Sequence, residues 1–289
     1  MTVAELLAEA ARELEDRGVA APAWDAERLL RHVLGWDRAS LLASPGAAVA
    51  AEAEHSFRDL VTERAKRVPL QYLTGFQAFW KHEFRVTPDV LIPRPETELL
   101  VETALALVRG TERPVIVDVG TGSGCIALSL AAERPDAELH ATDASAAALQ
   151  VAHENARVLG LEGRVAFHLG RLLEPVTGLE GWDLVVSNPP YVDPSERETL
   201  EPEVRDHEPE LALFPPGDAL SIYRLLVPGA FDWLRPGGWL IVEIAPALEG
   251  AVRDLFASAG FEDVRVANDL AGRARLVRGR RPMRRPAVG

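Results

Sequence analysis

The sequence predicts an α/β protein, a doubly wound, mostly parallel sheet with a small helical domain in front of it. From Pro114 onward, short apolar runs alternate with helical segments, the order that builds parallel strands joined by crossover helices. Before about Val68 the apolar residues instead recur at helical spacing. A third observation fixes the ligand side of the sheet. Asp118, Asp143 and Asn188 stand at the carboxyl ends of strands, where sheets of this kind bind ligands.

In the N-terminal stretch, Leu6, Leu7, Ala10 and Leu14 share one helical face and Gly18 stops the helix. Residues 25–34 form a second helix carrying Leu29, Leu30, Val33 and Leu34, and 48–67 a third that turns Phe57, Leu60 and Val61 inward. No polar cluster converges here, so residues 1–76 are expected to be a recognition or structural domain. Between Pro69 and Pro95, Phe79, Trp80, Phe84, Val86, Val90 and Leu91 alternate with polar residues, which suggests a hairpin linker over 77–94. The string Ile92-Pro93-Arg94-Pro95-Glu96-Thr97-Glu98 then gives a proline-stiffened start, at Glu96 or Thr97, to a helix.

The domain expected over 95–280 takes strands at 115–119, 139–143, 165–169, 184–187 and 239–244. Its helices are expected at 126–133, 146–159, 220–233 and 249–259. Residues 193–218 carry prolines and acids without periodicity, which predicts a lid or docking loop beside Asn188. The arginines over 273–285 are expected to be mostly solvated, with 281–289 an Arg/Pro tail.

The composition narrows the function. A chain of 289 residues that is 47% hydrophobic can bury a substantial core. No apolar run reaches the length of a membrane span, and the first residues lead into a charged amphipathic helix, so a cytoplasmic location is expected. The formal charge of -13 argues against a stable nucleic-acid complex, because neutralising phosphates needs a broad basic face. Cys125 is the single cysteine, which leaves no intrachain disulfide, and no histidines sit at metal-ligand spacing.

Two motifs carry chemistry. Asp118-Val119-Gly120-Thr121-Gly122-Ser123-Gly124-Cys125 follows the first strand of the sheet and opens a helix. Cys125 stands where a dinucleotide fingerprint needs glycine, and the phosphate P-loop signature is absent. A glycine turn remains, with a carboxylate at Asp143 able to accept from two ribose hydroxyls. A ligand with a ribose and no pyrophosphate suggests S-adenosylmethionine, its carboxylate on backbone N–H groups and its ammonium favoured by Asp118. The second motif is Asn188-Pro189-Pro190-Tyr191, after an apolar strand. Its prolines fix the backbone and offer no N–H, so the Asn188 side-chain oxygen and the Pro189 carbonyl are free to face an amino group.

Together these motifs resemble a class I amino-methyltransferase. Pro69-Leu70-Gln71-Tyr72, Arg94-Pro95-Glu96-Thr97-Glu98, the run from Glu203 to Leu213 and Asp269-Leu270-Ala271-Gly272-Arg273 narrow the resemblance. They look like the bacterial family that methylates the glutamine of peptide-chain release factors. The chain departs from that family's pattern at Gly170-Arg171-Leu172, where an acidic residue and an aromatic are usual, and at Ala245, where glycine is usual.

The resemblance implies a class I methyltransferase-type fold and S-adenosyl-L-methionine as cofactor, with S-adenosyl-L-homocysteine as product. It implies Asp118, Gly120, Thr121, Gly122, Ser123, Gly124, Asp143, Leu172 and Asn188 around the cofactor. It also implies Asn188, Pro189, Pro190 and Tyr191 around the glutamine, with Tyr191 walling the site and neither a metal nor a general base required. The competing readings are a glutamine methyltransferase of a ribosomal protein, a nucleic-acid amino-methyltransferase, and a cofactor-binding module without turnover.

Overall fold

The computed structural model describes residues 1–179 and 181–283. They form two compact units, one of Met1–Phe76 with Leu200–His207, the other of Gln77–Thr199 and the described residues from Glu208 onward.

The first unit is helical: α1 (Val3–Asp16), α2 (Pro22–Leu34), α3 (Arg38–Ala43), α4 (Ala51–Ala65) and α5 (Leu70–Thr74). Thr2 and Glu5 cap α1 reciprocally, Thr2 Oγ1 accepting the Glu5 N–H at 3.3 Å and Glu5 Oε2 the Thr2 N–H at 2.8 Å. The buried faces meet as expected, with Leu6, Ala10 and Leu14 against Leu29, Leu30, Phe57 and Val61. Helix α4 is shorter than the expected 48–67, beginning after Ala50 and ending at Ala65. Beyond it, Arg67 takes a left-handed φ of 70° and breaks the helix.

The expected loop over 193–218 is instead a series of short turns: a 3-10 segment Pro194–Thr199, then α9 (Pro202–His207) and α10 (Glu210–Leu213). Helix α9 belongs to the helical unit because Glu203 draws two arginines. It accepts from Arg64 Nη2 at 2.7 Å and from Arg67 Nε and Nη2 at 2.7 and 2.6 Å. Spaced charges of this kind leave no hydrophobic period to read.

The second unit opens at Gln77 with a hairpin of β1 (Phe76–Phe79), whose first residue belongs to the helical unit, and β2 (His82–Arg85), which precedes a 3-10 turn over Pro95–Thr97 and helix α6 (Glu98–Leu107). Then follow β3 (Val115–Val119), α7 (Cys125–Glu133), β4 (Glu138–Asp143), α8 (Ala146–Val158), β5 (Val165–Leu169) and β6 (Trp182–Ser187). After α10 come α11 (Ser221–Trp233), β7 (Leu234–Glu243), α12 (Glu249–Ala259), β8 (Glu262–Asn268) and β9 (Ala274–Arg280). The hairpin is part of this unit's core, with Phe79 and Phe84 buried among residues of α6 and α7.

The seven strands of the main sheet run in the order β5-β4-β3-β6-β7-β9-β8. The pairs from β5 through β7 are parallel, and β9 is antiparallel to both β7 and β8. This is the doubly wound, mostly parallel sheet that the alternation implies. Strand β7 starts earlier than the expected 239–244, because Pro236-Gly237-Gly238 is absorbed as an irregularity opposite β6 rather than breaking the strand.

The β8–β9 pair corrects the reading of the basic C-terminal stretch. Arg278 and Arg280 lie in β9, each with its guanidinium 5.7 Å from the Trp239 ring. Gly279 lets Phe256 pack on the strand backbone, where a β-carbon would sit 2.6 Å from Phe256 Cδ1. Of the expected tail, Arg281 donates to the carbonyl oxygens of Asp232 and Leu234, and 284–289 lie outside the described residues.

The strand order reverses between β3 and β6. They pair with Val119 opposite Ser187, and Ser187 Oγ donates to the Val119 carbonyl at 2.7 Å. The glycine turn after β3 and Asn188 after β6 are therefore neighbours at the topological switch point.

Candidate functional site

Asp118 is fully buried near the end of β3. One carboxylate oxygen accepts the Thr121 hydroxyl at 2.7 Å, while the other, Oδ1, has no partner. Burial, with a smaller push from Asp143, raises its pKa to about 7. A buried carboxylate with an unmatched oxygen is suited to a cationic ligand group, which would hold it ionised.

The glycine turn is braced from within. The Gly120 and Thr121 N–H groups donate to the Thr142 carbonyl at 2.9 and 3.0 Å, and Gly124 N–H donates to the Thr121 carbonyl at 2.8 Å. Gly122 N–H donates to Asp143 Oδ2 at 2.8 Å. The expectation of a turn rich in free N–H donors therefore narrows, since these groups are already engaged. What the turn offers is access: a β-carbon at Gly120 or Gly122 would have no heavy atom within 4 Å. Gly124 differs, because a β-carbon there would lie 3.0 Å from Leu128 Cδ1 and 3.2 Å from Ala152 Cβ. It permits helix packing, not ligand approach. Ser123 is buried with an unpartnered hydroxyl, and Cys125, whose thiol burial pushes up to about 12, is not a reactive group.

Asp143 closes β4 partly buried, with Oδ1 accepting the Ser145 N–H at 2.8 Å. Each carboxylate oxygen holds one backbone donor and keeps a second acceptor site. Leu172 follows β5 with a left-handed φ of 49° and packs partly buried on the core, its carbonyl accepting the Thr142 hydroxyl at 2.7 Å. Ala245 needs no glycine, because its φ of -70° is ordinary extended backbone.

Across the switch point, Asn188 and Pro190 are partly exposed and Pro189 is buried. Tyr191 packs on the core, and burial, reinforced by Glu243, raises its hydroxyl to about 12. Behind Asn188 lie two residues absent from the expected site. Asn188 Nδ2 donates to Thr97 Oγ1 at 3.1 Å, and Thr97 Oγ1 donates to Glu243 Oε2 at 2.7 Å. Thr97 thus does not cap its helix with its side chain. Glu243 ends β7 almost fully buried, and that burial lifts its pKa to about 7. A signal for Glu243 was present in the sequence, since a charge ending an apolar strand is the pattern that marks Asp118 and Asp143. Asn155 of α8 is the other concealed residue: it donates to the Ser123 and Arg85 carbonyls at 2.8 and 3.0 Å and accepts the Arg85 N–H at 2.7 Å. This ties the glycine turn to the hairpin.

Among the described residues no group of histidine, cysteine, aspartate and glutamate side chains is arranged to hold a metal ion. Likewise no helix is long and apolar enough to cross a membrane.

Comparison with known proteins adds family to geometry. Residues 5–75 match the family model of the PrmC N-terminal domain, and 95–203 that of the methyltransferase small domain. A methyltransferase from Pyrococcus furiosus superposes with a TM-score of 0.51 at 16% identity over 76% of this chain and 98% of that one. The hMettl16 catalytic domain does so with a TM-score of 0.57 at 16% identity over 70% and 76%. At such identity these share the fold.

Curated relatives match almost end to end. A release factor glutamine methyltransferase of Cereibacter sphaeroides is 45% identical over 98% of this chain and 99% of its own length. Those of Moorella thermoacetica and Geobacter sulfurreducens are 46% and 42% identical, over 95% and 92% of this chain and 97% and 92% of theirs. By identity of this level over both of its units, the chain belongs to the release factor glutamine methyltransferase family.

Proposed function

We propose that this protein transfers a methyl group from S-adenosylmethionine to the side-chain amide nitrogen (N5) of the glutamine in the Gly-Gly-Gln motif of peptide-chain release factors. The observation that carries this reading is the placement of Asn188-Pro189-Pro190-Tyr191 beside the glycine turn at the switch point, on strands that pair Val119 with Ser187. Full-length relatives of that name support the choice of substrate.

When bound, the cofactor supplies an electrophilic methyl group on a sulfonium. Asp118 Oδ1, unpaired and buried, suits the ammonium of its methionine part, and the second acceptor sites of Asp143 suit ribose hydroxyls. Gly120 and Gly122 leave room for close approach, Thr121, Ser123 and Gly124 shape the turn, and Leu172, tied through its carbonyl to Thr142, is assigned to the cofactor pocket. An amide nitrogen is a weak nucleophile because its lone pair is delocalised, so orientation supplies much of the rate. The Asn188 oxygen and the Pro189 carbonyl accept the two N–H hydrogens of the glutamine and stabilise the positive charge that grows on nitrogen, which is discharged when the strongly acidic N-methylated amide gives its extra proton to water. Pro190 keeps those acceptors rigid, and Tyr191 packs on the flat amide. Residues 95–280 are in this reading the catalytic domain, and 1–76 recognise the release factor. A translation factor as substrate places the enzyme in the cytoplasm.

The test uses labelled S-adenosylmethionine with purified release factors, either wild type or with the Gly-Gly-Gln glutamine replaced. Label should enter the wild-type factor alone. Asn188→Ala should keep most S-adenosylhomocysteine binding while transfer collapses, and undiminished turnover would exclude the assigned role.

A further inference from the structure

The hydrogen-bond chain behind Asn188 has a direction, and its far end sets that direction. An ionised Glu243 has no proton to give, so it can only accept. Thr97 has one hydroxyl proton and gives it to Glu243 Oε2 at 2.7 Å. Toward Asn188, Thr97 Oγ1 is then left with lone pairs alone, so the carboxamide must present its N–H side, at 3.1 Å. The Asn188 oxygen is thereby turned to the opposite corner of the group.

We infer that Thr97 and Glu243 are positioning residues for the methyl transfer, ending the chain in an acceptor-only group so that the Asn188 carboxamide faces the substrate with its oxygen. The inference rests on the proposed glutamine chemistry. A flipped carboxamide would set its N–H donors against the donors of the substrate amide. Without an acceptor beyond it, the Thr97 hydroxyl would bond equally well to either end of Asn188, and the orientation would be lost. Polarisation along the chain also makes the Asn188 oxygen a stronger acceptor, where positive charge grows.

The surroundings of Glu243 fit this role. Arg275 of β9, Arg94 and Glu96 before α6, Tyr191 after β6 and Cys125 at the start of α7 all act electrostatically in this region. From α11, Tyr223 donates its hydroxyl to the Glu243 main-chain oxygen at 2.6 Å, which fixes the backbone that carries the carboxylate. Arg275 is itself held by Asp269, with Nε 3.1 Å from Oδ2, and its Nη2 lies 3.9 Å from Glu96 Oε1, so its charge is shared with other carboxylates. With burial raising Glu243 to about 7, acidification adds a proton and turns the end of the chain into a potential donor. Turnover should therefore decline as pH falls below about 7.

Thr97→Val, Thr97→Ser and Glu243→Gln test the inference, assayed on a release factor with S-adenosylhomocysteine binding and thermal unfolding measured alongside. Thr97→Val should lower kcat about tenfold, the effect of roughly one mis-set hydrogen bond, and Thr97→Ser should retain most of the turnover. KM for the protein substrate and affinity for S-adenosylhomocysteine should change by less than about twofold. Glu243→Gln, which can donate or accept, should lower kcat and abolish the acid limb of the kcat profile. Asp118 is raised to a similar pKa in the unliganded protein but is held ionised by the ammonium of the bound cofactor, so a limb of the kcat profile that survives in Glu243→Gln counts against Glu243. Wild-type kcat in Thr97→Val, or equal losses in the valine and serine variants, would overturn the inference. If Thr97→Val does not fold, the acid limb of Glu243→Gln and the turnover of Thr97→Ser still separate the two outcomes. A wild-type enzyme that leaves release factors unlabelled would instead refute the proposed function.

Discussion

The Asp143 carboxylate accepts the Gly122 N–H at 2.8 Å, so the end of one strand holds the turn that follows its neighbour. A residue expected only to meet a ribose is therefore also a brace for the glycine turn. Asp143→Ala should weaken S-adenosylhomocysteine binding by more than tenfold, since turn and ligand lose a charge-assisted acceptor together. Asp143→Asn keeps one acceptor oxygen and should fall between wild type and alanine. Calorimetric titration reads both, and an alanine variant with wild-type affinity would remove Asp143 from the cofactor site.

Gly122 and Gly124, two residues apart, should fail differently. Both have positive φ, 56° and 81°, but only Gly124 is crowded, by Leu128 and Ala152. Gly124→Ala should cost about 1–3 kcal/mol of stability through overpacking and strain. Gly122→Ala should cost only about 1 kcal/mol, from the left-handed backbone, yet reduce cofactor affinity because its side chain points into open space. Urea unfolding with and without S-adenosylhomocysteine separates the two, and equal stability losses would show that the crowding at Gly124 relaxes.

The parallel part of the sheet and its ligand edge are legible because buried parallel strands are continuous apolar runs and their polar ends stand out, as at Asp118 and Asp143. The site roles of Thr97 and Asn155 are hidden for the opposite reason. Each lies in a helical stretch where its polarity reads as surface, and only tertiary approach, across to Glu243 for one and to Ser123 for the other, gives it a role. Strands β8 and β9 escape because their apolar residues, Val264 and Val266 in one and Leu276 and Val277 in the other, are too few among charged neighbours to give a sustained hydrophobic period. Cation–π contact with Trp239 and ion pairing of Asp269 with Arg273 and Arg275 take the place of that period. The short helix α9 is hidden in the same way, because a carboxylate and two arginines anchor it.

Asp118 and Glu243 give the unliganded protein an inverted response to acid. In the folded state both titrate at about 7, above their ordinary values of 3.8 and 4.5. Between about pH 4 and 7 the folded state thus binds more protons than the unfolded one, so stability rises as pH falls through that window and is lost as pH climbs past 7. Denaturant midpoints at pH 5.5 and 8 should show this trend, and Asp118→Asn or Glu243→Gln should flatten it. Saturating S-adenosylhomocysteine should also reduce the contribution of Asp118, since a bound ammonium would favour its ionised form. An unliganded wild type that loses stability steadily from about pH 7 to 5 would contradict the burial of both groups.

The helical unit carries the opposite pH response at Glu203. Burial alone would raise this carboxyl, but hydrogen bonds from Arg67 and Arg64 prevail and bring it down to about 2. With an ordinary value of 4.5, its stabilising effect is present above that pH and disappears as pH falls through about 2. Arg64 is buried and would be left with Asp25 Oδ2, at 2.7 Å from its Nε, as its one carboxylate partner if Glu203 were removed. Glu203→Gln should therefore destabilise the protein by about 2–4 kcal/mol, the cost of stranding part of a buried ion network rather than of losing a surface pair. Arg67→Ala should cost less, because Arg67 is more exposed and the Arg64–Glu203 contact survives it. Added salt should change neither loss much, since buried charges are weakly screened. Denaturant unfolding in low and high salt measures all three expectations, and a Glu203→Gln variant as stable as wild type would show that α9 is held by something other than its arginines.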